Sequence, residues 1–62
     1  MNLKKLKGAM AEKDFTQSKL ASMLGLSLKS FSAKINGKTE FKVNELAKIS
    51  KILDVDPSIF FD

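Results

Sequence analysis

Apolar residues recur at helical spacing along the chain of 62 residues, and no stretch shows the alternation of a strand. Leu3, Leu6 and Met10, spaced i, i+3, i+7, mark the inner stripe of a first helix. The connections between the predicted helices are short, and neither a linker nor an internal repeat is visible. The pattern therefore predicts a single all-α domain over residues 1–62, with four helices and a final short one.

The second and third predicted helices follow each other closely around one glycine. Thr16 is the expected N-cap of the second helix, and Gly25 is expected to end it, because the residue after a helix often needs a positive φ. Ser27 is the expected N-cap of the third helix, which Asn36-Gly37 should stop. Two helices joined by so short a turn cross at a steep angle, so we expect a helix-turn-helix.

The last third of the chain carries a fourth helix and a short closing turn. The fourth helix is predicted from inward positions at helical spacing: Val43, Leu46, Ile49 or Ser50, and Leu53. Asp56 and Pro57 then stand as the N-cap and first residue of a last turn that runs through Ile59 and Phe60.

Lysines are distributed unevenly along the chain, although the net charge is only +4. Residues 1–42 carry nine lysines against three acidic residues, a balance of +6, while residues 43–62 carry two lysines against four acidic residues, a balance of −2. A polyanion would prefer the first two thirds of the chain, although a solvated lysine-rich surface explains the same excess. Every basic residue is lysine, so the bidentate fork that most often reads guanine is missing.

The third predicted helix, residues 27–36, has two different sides. At about 100° per residue, Phe31 and Ile35 fall on the inner side. Another face carries small or polar residues and one long cation: Lys29, Ser32, Ala33 and Asn36. A B-form major groove admits a helix whose outer side chains fit between base edges, so this face suits DNA. An ordinary amphipathic helix with its polar side in water is the alternative.

The stretches "TQSKLASMLGLS" and "FSAKINGK" combine several features at fixed intervals. These are Gln17 opening the second helix, Leu20-Ala21 inside it, Gly25 at the turn, Leu26-Ser27 after it, and Asn36-Gly37-Lys38 closing the third helix. With them the chain resembles the phage-repressor type of helix-turn-helix, the Cro and C-repressor family also called xenobiotic-response-element-like. "LAKISKILDVDPSIFF" is similar to the family's fourth and fifth helices. The resemblance implies a compact lambda-repressor-like fold that binds operator DNA.

The resemblance also implies roles for individual residues. Those expected to face bases are Leu28, Lys29, Ser32 and Ala33. Those expected to contact backbone phosphates are Gln17, Asn36 and Lys38, with Thr39 and Lys42 close enough to add to them. The family commonly binds as a dimer on two half-sites about one helical turn apart. Ile59 and Phe61 are the expected dimer contacts, while Phe60 is expected in the core.

Two parts of the chain depart from the family pattern. Many members have an apolar residue at the position of Lys34 and an acidic one at Ile35, which often pairs with an arginine at the position of Met10. Here we expect an apolar Met10–Ile35 contact, with Lys34 extending toward solvent or the third helix slightly rotated. Glu40 places a negative charge near the expected phosphates, and Phe41 is expected to plug the core.

These features predict a sequence-specific double-stranded DNA-binding protein, a repressor or Cro-like regulator of a phage or mobile element. It would bind a pseudo-palindromic operator as a weak homodimer, or as a dimer formed only on DNA. The alternatives are a protein-interaction module, such as an antirepressor or antitoxin-like partner, and a non-specific nucleoid-type binder. Without histidine, cysteine, paired carboxylates or a glycine-rich phosphate loop, we expect no enzyme, metal, cofactor or small-molecule ligand. The apolar runs are short, so we expect no membrane span and a cytoplasmic location.

Overall fold

Within residues 1–61, four α-helices and one short 3-10 helix form in the order that the apolar spacing predicts. They are α1 (Leu3–Glu12), α2 (Gln17–Leu24), α3 (Leu28–Ile35), α4 (Val43–Leu53) and the 3-10 helix (Pro57–Phe61). The computed structural model describes residues 1–61, and that part of the chain contains no strand. The fold is compact, with principal extents of 25 × 22 × 19 Å. The predicted all-α class is confirmed.

α2 and α3 each start after an N-cap residue whose side chain accepts a backbone hydrogen bond. Thr16 Oγ1 accepts a hydrogen bond from the Lys19 N–H at 3.0 Å, and Ser27 Oγ accepts one from the Ser30 N–H at 3.1 Å. Each cap satisfies a donor that the first turn of a helix otherwise leaves unpaired. Gly25 ends α2 in the left-handed region, with a φ of 72°. The predicted boundaries between these two helices are therefore confirmed.

Three backbone features were not predicted from the sequence. Asn2 caps α1, because its Oδ1 accepts a hydrogen bond from the Lys5 N–H at 3.1 Å. Asp14 and Asp54 adopt left-handed conformations, with φ values of 60° and 54°, and Asp54 is the C-cap of α4. Aspartate tolerates this region better than most residues, since its short polar side chain can hydrogen-bond locally.

One apolar core joins the helices. Its buried members are Leu6, Ala9, Met10, Leu20, Ala21, Phe31, Ile35, Leu46, Ile49, Leu53 and Phe60. α2 packs against α3 and α4, while the 3-10 helix contacts both α1 and α4. The Asn2 N–H donates to the Phe60 carbonyl, which ties the start of α1 to the 3-10 helix. Phe60 is thus a core residue, as predicted.

The prediction that Val43 faces inward is wrong. Val43 is the first residue of α4 and is 85% exposed, because the helix has not yet reached the core at this point. The inward stripe begins at Leu46, and both Ile49 and Ser50 are buried. Ser50 Oγ donates to the Ala47 carbonyl at 2.8 Å, so its polar atom is satisfied within the core.

Candidate nucleic-acid interface

The connection between α2 and α3 is closed by backbone hydrogen bonds. The Gly25 N–H donates to the Ser22 carbonyl at 3.1 Å, and the Leu26 N–H donates to the Ala21 carbonyl at 2.9 Å. Ser27 already caps α3, so the chain turns within a very short segment. Ala21 is 1% exposed, and α2 and α3 pack against each other. These contacts hold α3 in one orientation relative to α2.

α3 has a buried side and an accessible one. Its core-facing residues, Phe31 and Ile35, are 0% exposed. The residues expected to face bases are two exposed ones, Leu28 and Lys29, and two half-buried ones, Ser32 and Ala33. The first turn of α3 is therefore the part of this helix that another molecule can reach most freely.

Asn36 links the residues expected to face bases with those expected to contact phosphates. It is the C-cap of α3, and its Nδ2 donates to Ser32 Oγ at 3.3 Å. An amide group carries two hydrogens, so a second one remains for another acceptor. Gly37 follows with a φ of 80°, and the predicted stop of the third helix at Asn36-Gly37 is confirmed.

Segment 36–42, between α3 and α4, carries four of the five residues expected to contact phosphates. All five are exposed: Gln17, Asn36, Lys38, Thr39 and Lys42. The N–H groups of Lys38 and Thr39 both donate to the Ala33 carbonyl, at 2.9 and 3.4 Å, and fold the segment back onto the end of α3. Gln17 lies on a different element, as the first residue of α2.

A partly buried ion pair joins α3 to α4 across segment 36–42. Lys34 Nζ lies 2.7 Å from Glu45 Oε1, and the two side chains are 13% and 12% exposed. The same ammonium lies 3.5 Å from the Glu40 carbonyl oxygen, and Glu45 Oε1 also accepts the Lys42 N–H at 2.8 Å. We call the Lys34–Glu45 pair, with these two backbone contacts, the clasp.

Burial and neighbouring charge shift the pKa of the Glu45 carboxyl in opposite directions. Partial burial raises the pKa of its carboxyl. The hydrogen bonds from Lys34 and from the Lys42 N–H, together with the charges of both lysines, outweigh burial, so the pKa lies below its ordinary value. Glu45 is therefore ionised at neutral pH. The expectation that Lys34 extends toward solvent is wrong, because its ammonium is bonded to this carboxylate.

Phe41 closes the core beside the clasp. Its ring meets that of Phe31 edge-on, with centroids 5.8 Å apart and planes at 66°. Phe41 is half-buried and packs against the core cluster, as predicted. Lys34 Nζ lies 6.0 Å from the centroid of this ring, so the ring also covers the charged end of the clasp.

Lys34 makes the polar pair of α3, whereas Ile35 lies in the apolar core. Met10 is 4% exposed and Ile35 is 0% exposed, and both belong to the same apolar core. The ion pair connects Lys34 with Glu45 on α4 instead. Direct contact between Met10 and Ile35 stays a prediction.

Exposed apolar side chains lie near both ends of the described chain. Phe61 is 67% exposed and Met1 is 50% exposed, while Ile59 is half-buried against the core. Phe61 and Met1 line an open groove of about 400 Å³ that extends to Leu3 and Phe41. Of the two expected dimer contacts, Phe61 is therefore accessible and Ile59 only partly so.

Residues 1–61 contain neither a helix able to span a membrane nor a cluster of metal-binding side chains. No helix there is long and apolar enough to cross a membrane. The same residues contain no group of three or more His, Cys, Asp or Glu side chains that could hold a metal ion.

A family model matches residues 1–62 of the chain, and its description reads "Protein of unknown function (DUF739)". No curated protein matches the chain, and no solved structure does either.

Proposed function

We propose that this chain, which belongs to the DUF739 family over residues 1–62, binds double-stranded DNA sequence-specifically and acts as a transcriptional repressor. In this proposal α2 and α3 form a helix-turn-helix of the lambda-repressor-like kind. By occupying an operator the protein blocks a promoter sterically, as a Cro-like regulator of a phage or mobile element does. The observation that carries the proposal is the accessible side of α3, which exposes Leu28 and Lys29 and leads into the exposed lysines 38 and 42.

In the major groove, the first turn of α3 supplies the base contacts. Lys29 donates to guanine acceptors, and the exposed apolar side chain of Leu28 packs on a thymine methyl group. Ser32 and Ala33 are half-buried, so they reach bases only where the helix lies deepest in the groove. Because lysine lacks the bidentate fork of arginine, Lys29 discriminates less than an arginine at the same position would.

Phosphate contacts hold α3 in register on the duplex. Lys38 and Lys42 are exposed on segment 36–42, and Asn36 keeps one amide hydrogen beyond its bond to Ser32. Gln17 stands in the first turn of α2, where free N–H groups favour an anion. Such contacts carry no sequence information, but they fix the orientation of the protein.

Binding of two protomers to a pseudo-palindromic operator is part of the proposal, because one recognition helix reads only a few base pairs. Phe61, which is 67% exposed, supplies the contact between protomers, with Ile59 at its edge. The apolar surface available is small, so the dimer is weak or forms only on DNA.

Selection of bound duplexes from random DNA, followed by salt titration of two lysine variants, tests the proposal. Lys38→Ala should weaken operator and scrambled DNA alike and lower the slope of log affinity against log salt by about one. Lys29→Ala should relax the preference at one base pair in each half-site, by about 1 kcal/mol or less, and leave scrambled DNA nearly unaffected.

Three results would count against the proposal or part of it. A selection that enriches no sequence would refute specific binding. Tight binding of one protomer to a single half-site at physiological salt would refute the dimeric arrangement. If Lys29→Ala weakens binding to both duplexes equally, Lys29 is only a phosphate contact. The base sequence would then be recognised by Leu28, Ser32 and Ala33, through thymine methyl contacts and DNA shape.

A protein-interaction module, such as an antirepressor or an antitoxin-like partner, is the second candidate function. The groove near the chain ends favours it, because its apolar residues, among them Met1 and Phe61, are of the kind that often mark a protein contact. Polar residues also line this groove: Lys34, Thr39 and Glu40. An operator footprint and loss of the complex at high salt would favour DNA binding. A salt-resistant complex with a protein, without a footprint, would favour the alternative, and equal affinity for unrelated duplexes would indicate a nucleoid-type binder.

A further inference from the structure

We infer that the clasp sets the sequence specificity of DNA binding, because it holds the phosphate-contacting segment 36–42 in register with the base-reading side of α3. This inference rests on the proposed function and names what keeps that same surface aligned. Lys34 and Glu45 act through the segment and not by contact with DNA, so both are positioning residues.

The clasp spans the whole of segment 36–42. Lys34 lies before the segment, in the last turn of α3, and Glu45 follows it, in the first turn of α4. Between them, Lys34 Nζ lies 3.5 Å from the Glu40 carbonyl oxygen, and the Lys42 N–H donates to Glu45 Oε1 at 2.8 Å. One ammonium and one carboxylate therefore fix the segment at its middle and at its end.

Other contacts hold the segment at its start and at Phe41. The Lys38 N–H donates to the Ala33 carbonyl at 2.9 Å, and Phe41 is half-buried against the core. The segment forms neither helix nor strand. With the clasp broken, Lys38 and Lys42 keep their charges and Lys38 keeps its bond to Ala33, but the stretch from Glu40 to Lys42 loses two contacts. The spacing of Lys42 from α3 is then no longer fixed. Non-specific binding needs only those charges, whereas specific binding needs phosphate and base contacts at a fixed spacing.

Two substitutions break the clasp while they change the net charge in opposite directions. Lys34→Met removes a positive charge and keeps an apolar stem, and Glu45→Ala removes a negative charge. The measured quantity is the ratio of affinities for the selected operator and for a scrambled duplex, at a temperature where thermal melts show every variant folded. Both substitutions should lower this ratio roughly tenfold. A purely electrostatic effect would instead weaken binding in one variant, strengthen it in the other, and leave the ratio unchanged.

Glu40→Ala is the matched control. It removes one negative charge, as Glu45→Ala does, but from within segment 36–42. It leaves the clasp intact, because Lys34 contacts the backbone carbonyl of residue 40 and not its carboxylate. The affinity ratio should stay unchanged in Glu40→Ala. Glu45→Gln should keep most of the wild-type ratio, because its amide oxygen still accepts hydrogen bonds. Unchanged ratios in both clasp variants, or an equal fall in Glu40→Ala, would overturn the inference.

Hydrogen exchange without DNA separates failure of the clasp from failure of the proposed function. In Glu45→Ala the Lys42 amide loses its acceptor and should exchange at least about tenfold faster. The Leu26 amide, bonded to the Ala21 carbonyl in the other connection, should not change. If the wild type prefers no duplex, the proposed function fails and this inference falls with it. If the wild type does prefer one while exchange at Lys42 is unchanged, only the inference fails.

Discussion

Gly8 and Gly25 differ in backbone conformation but offer the same space to a new side chain. A Cβ added at either position would meet nothing within 4 Å. Gly8 lies in the interior of α1 without a positive φ, whereas Gly25 ends α2 with a φ of 72°. Replacing each glycine with alanine therefore measures the backbone contribution without a clash or a new packing contact.

The two substitutions should change stability in opposite directions. Gly8→Ala should stabilise the fold by about 0.5–1 kcal/mol, because glycine is a poor residue inside a helix. Gly25→Ala forces an L-residue into the left-handed region at a cost of roughly 1–2 kcal/mol. A gain of about 0.4–1 kcal/mol from the less flexible unfolded chain offsets part of that cost. The net loss in Gly25→Ala is then about 1 kcal/mol, which lowers Tm by roughly 4–8 °C in a domain of this size.

Thermal and urea unfolding followed by far-UV circular dichroism measure both changes. Gly25→Asn is the control, because asparagine enters the left-handed region more readily than alanine, so its loss should be smaller. Equal stability of Gly25→Ala and the wild type would show that the turn between α2 and α3 does not need this conformation. A loss of stability in Gly8→Ala would show that α1 is not the regular helix described above.

The remaining predictions concern the core and the carboxylates. Ile35→Glu should cost on the order of 3 kcal/mol, because it leaves an unpaired carboxylate in the core. Adding Met10→Arg should recover much of that loss, and additive effects in a double-mutant cycle would show that the two residues do not interact. In the folded chain, Lys34 and the Lys42 N–H outweigh burial to lower the pKa of Glu45, and the Ser58 N–H lowers that of Asp56. The stabilisation from these two carboxylates should thus be fully present above their ordinary pKa values, near pH 4, and be lost as pH falls through their lowered pKa values in the folded chain. The free energy of unfolding, measured in urea between pH 2 and 7, tests this. Glu45→Gln should reduce that loss.

The boundaries of α2 and α3 could be predicted from the sequence because their causes are local. Thr16 and Ser27 each accept a hydrogen bond from the residue three positions later, and Gly25 needs only its own positive φ. Residue type and spacing carry that information directly. Asp14 and Asp54 also take positive φ, but aspartate does so much less often than glycine, so their role was not visible in the sequence.

The candidate surface could be predicted only in part. The residue types that face outward from α3 follow from helical periodicity, but the half-burial of Ser32 and Ala33 depends on how neighbouring elements pack. The clasp joins residues 11 positions apart, across a segment whose path no local pattern determines. One signal was present: Glu45 stands three residues after Lys42, the N-cap of α4, where a glutamate commonly accepts the backbone N–H of the cap.

The stability of the fold and the alignment of segment 36–42 with α3 depend on different contacts of α3. Ile35 is 0% exposed, and its apolar contact with the core is strong but not directional. The Lys34–Glu45 pair is directional, since charged hydrogen bonds fix both distance and angle. Breaking it should cost about 1–2 kcal/mol, below the ~3–5 kcal/mol of a fully buried pair, because both side chains keep some solvent contact. Substitution at Ile35 should therefore unfold the chain before it alters DNA preference. Substitution at Lys34 should leave most molecules folded and weaken their preference for the operator over scrambled DNA.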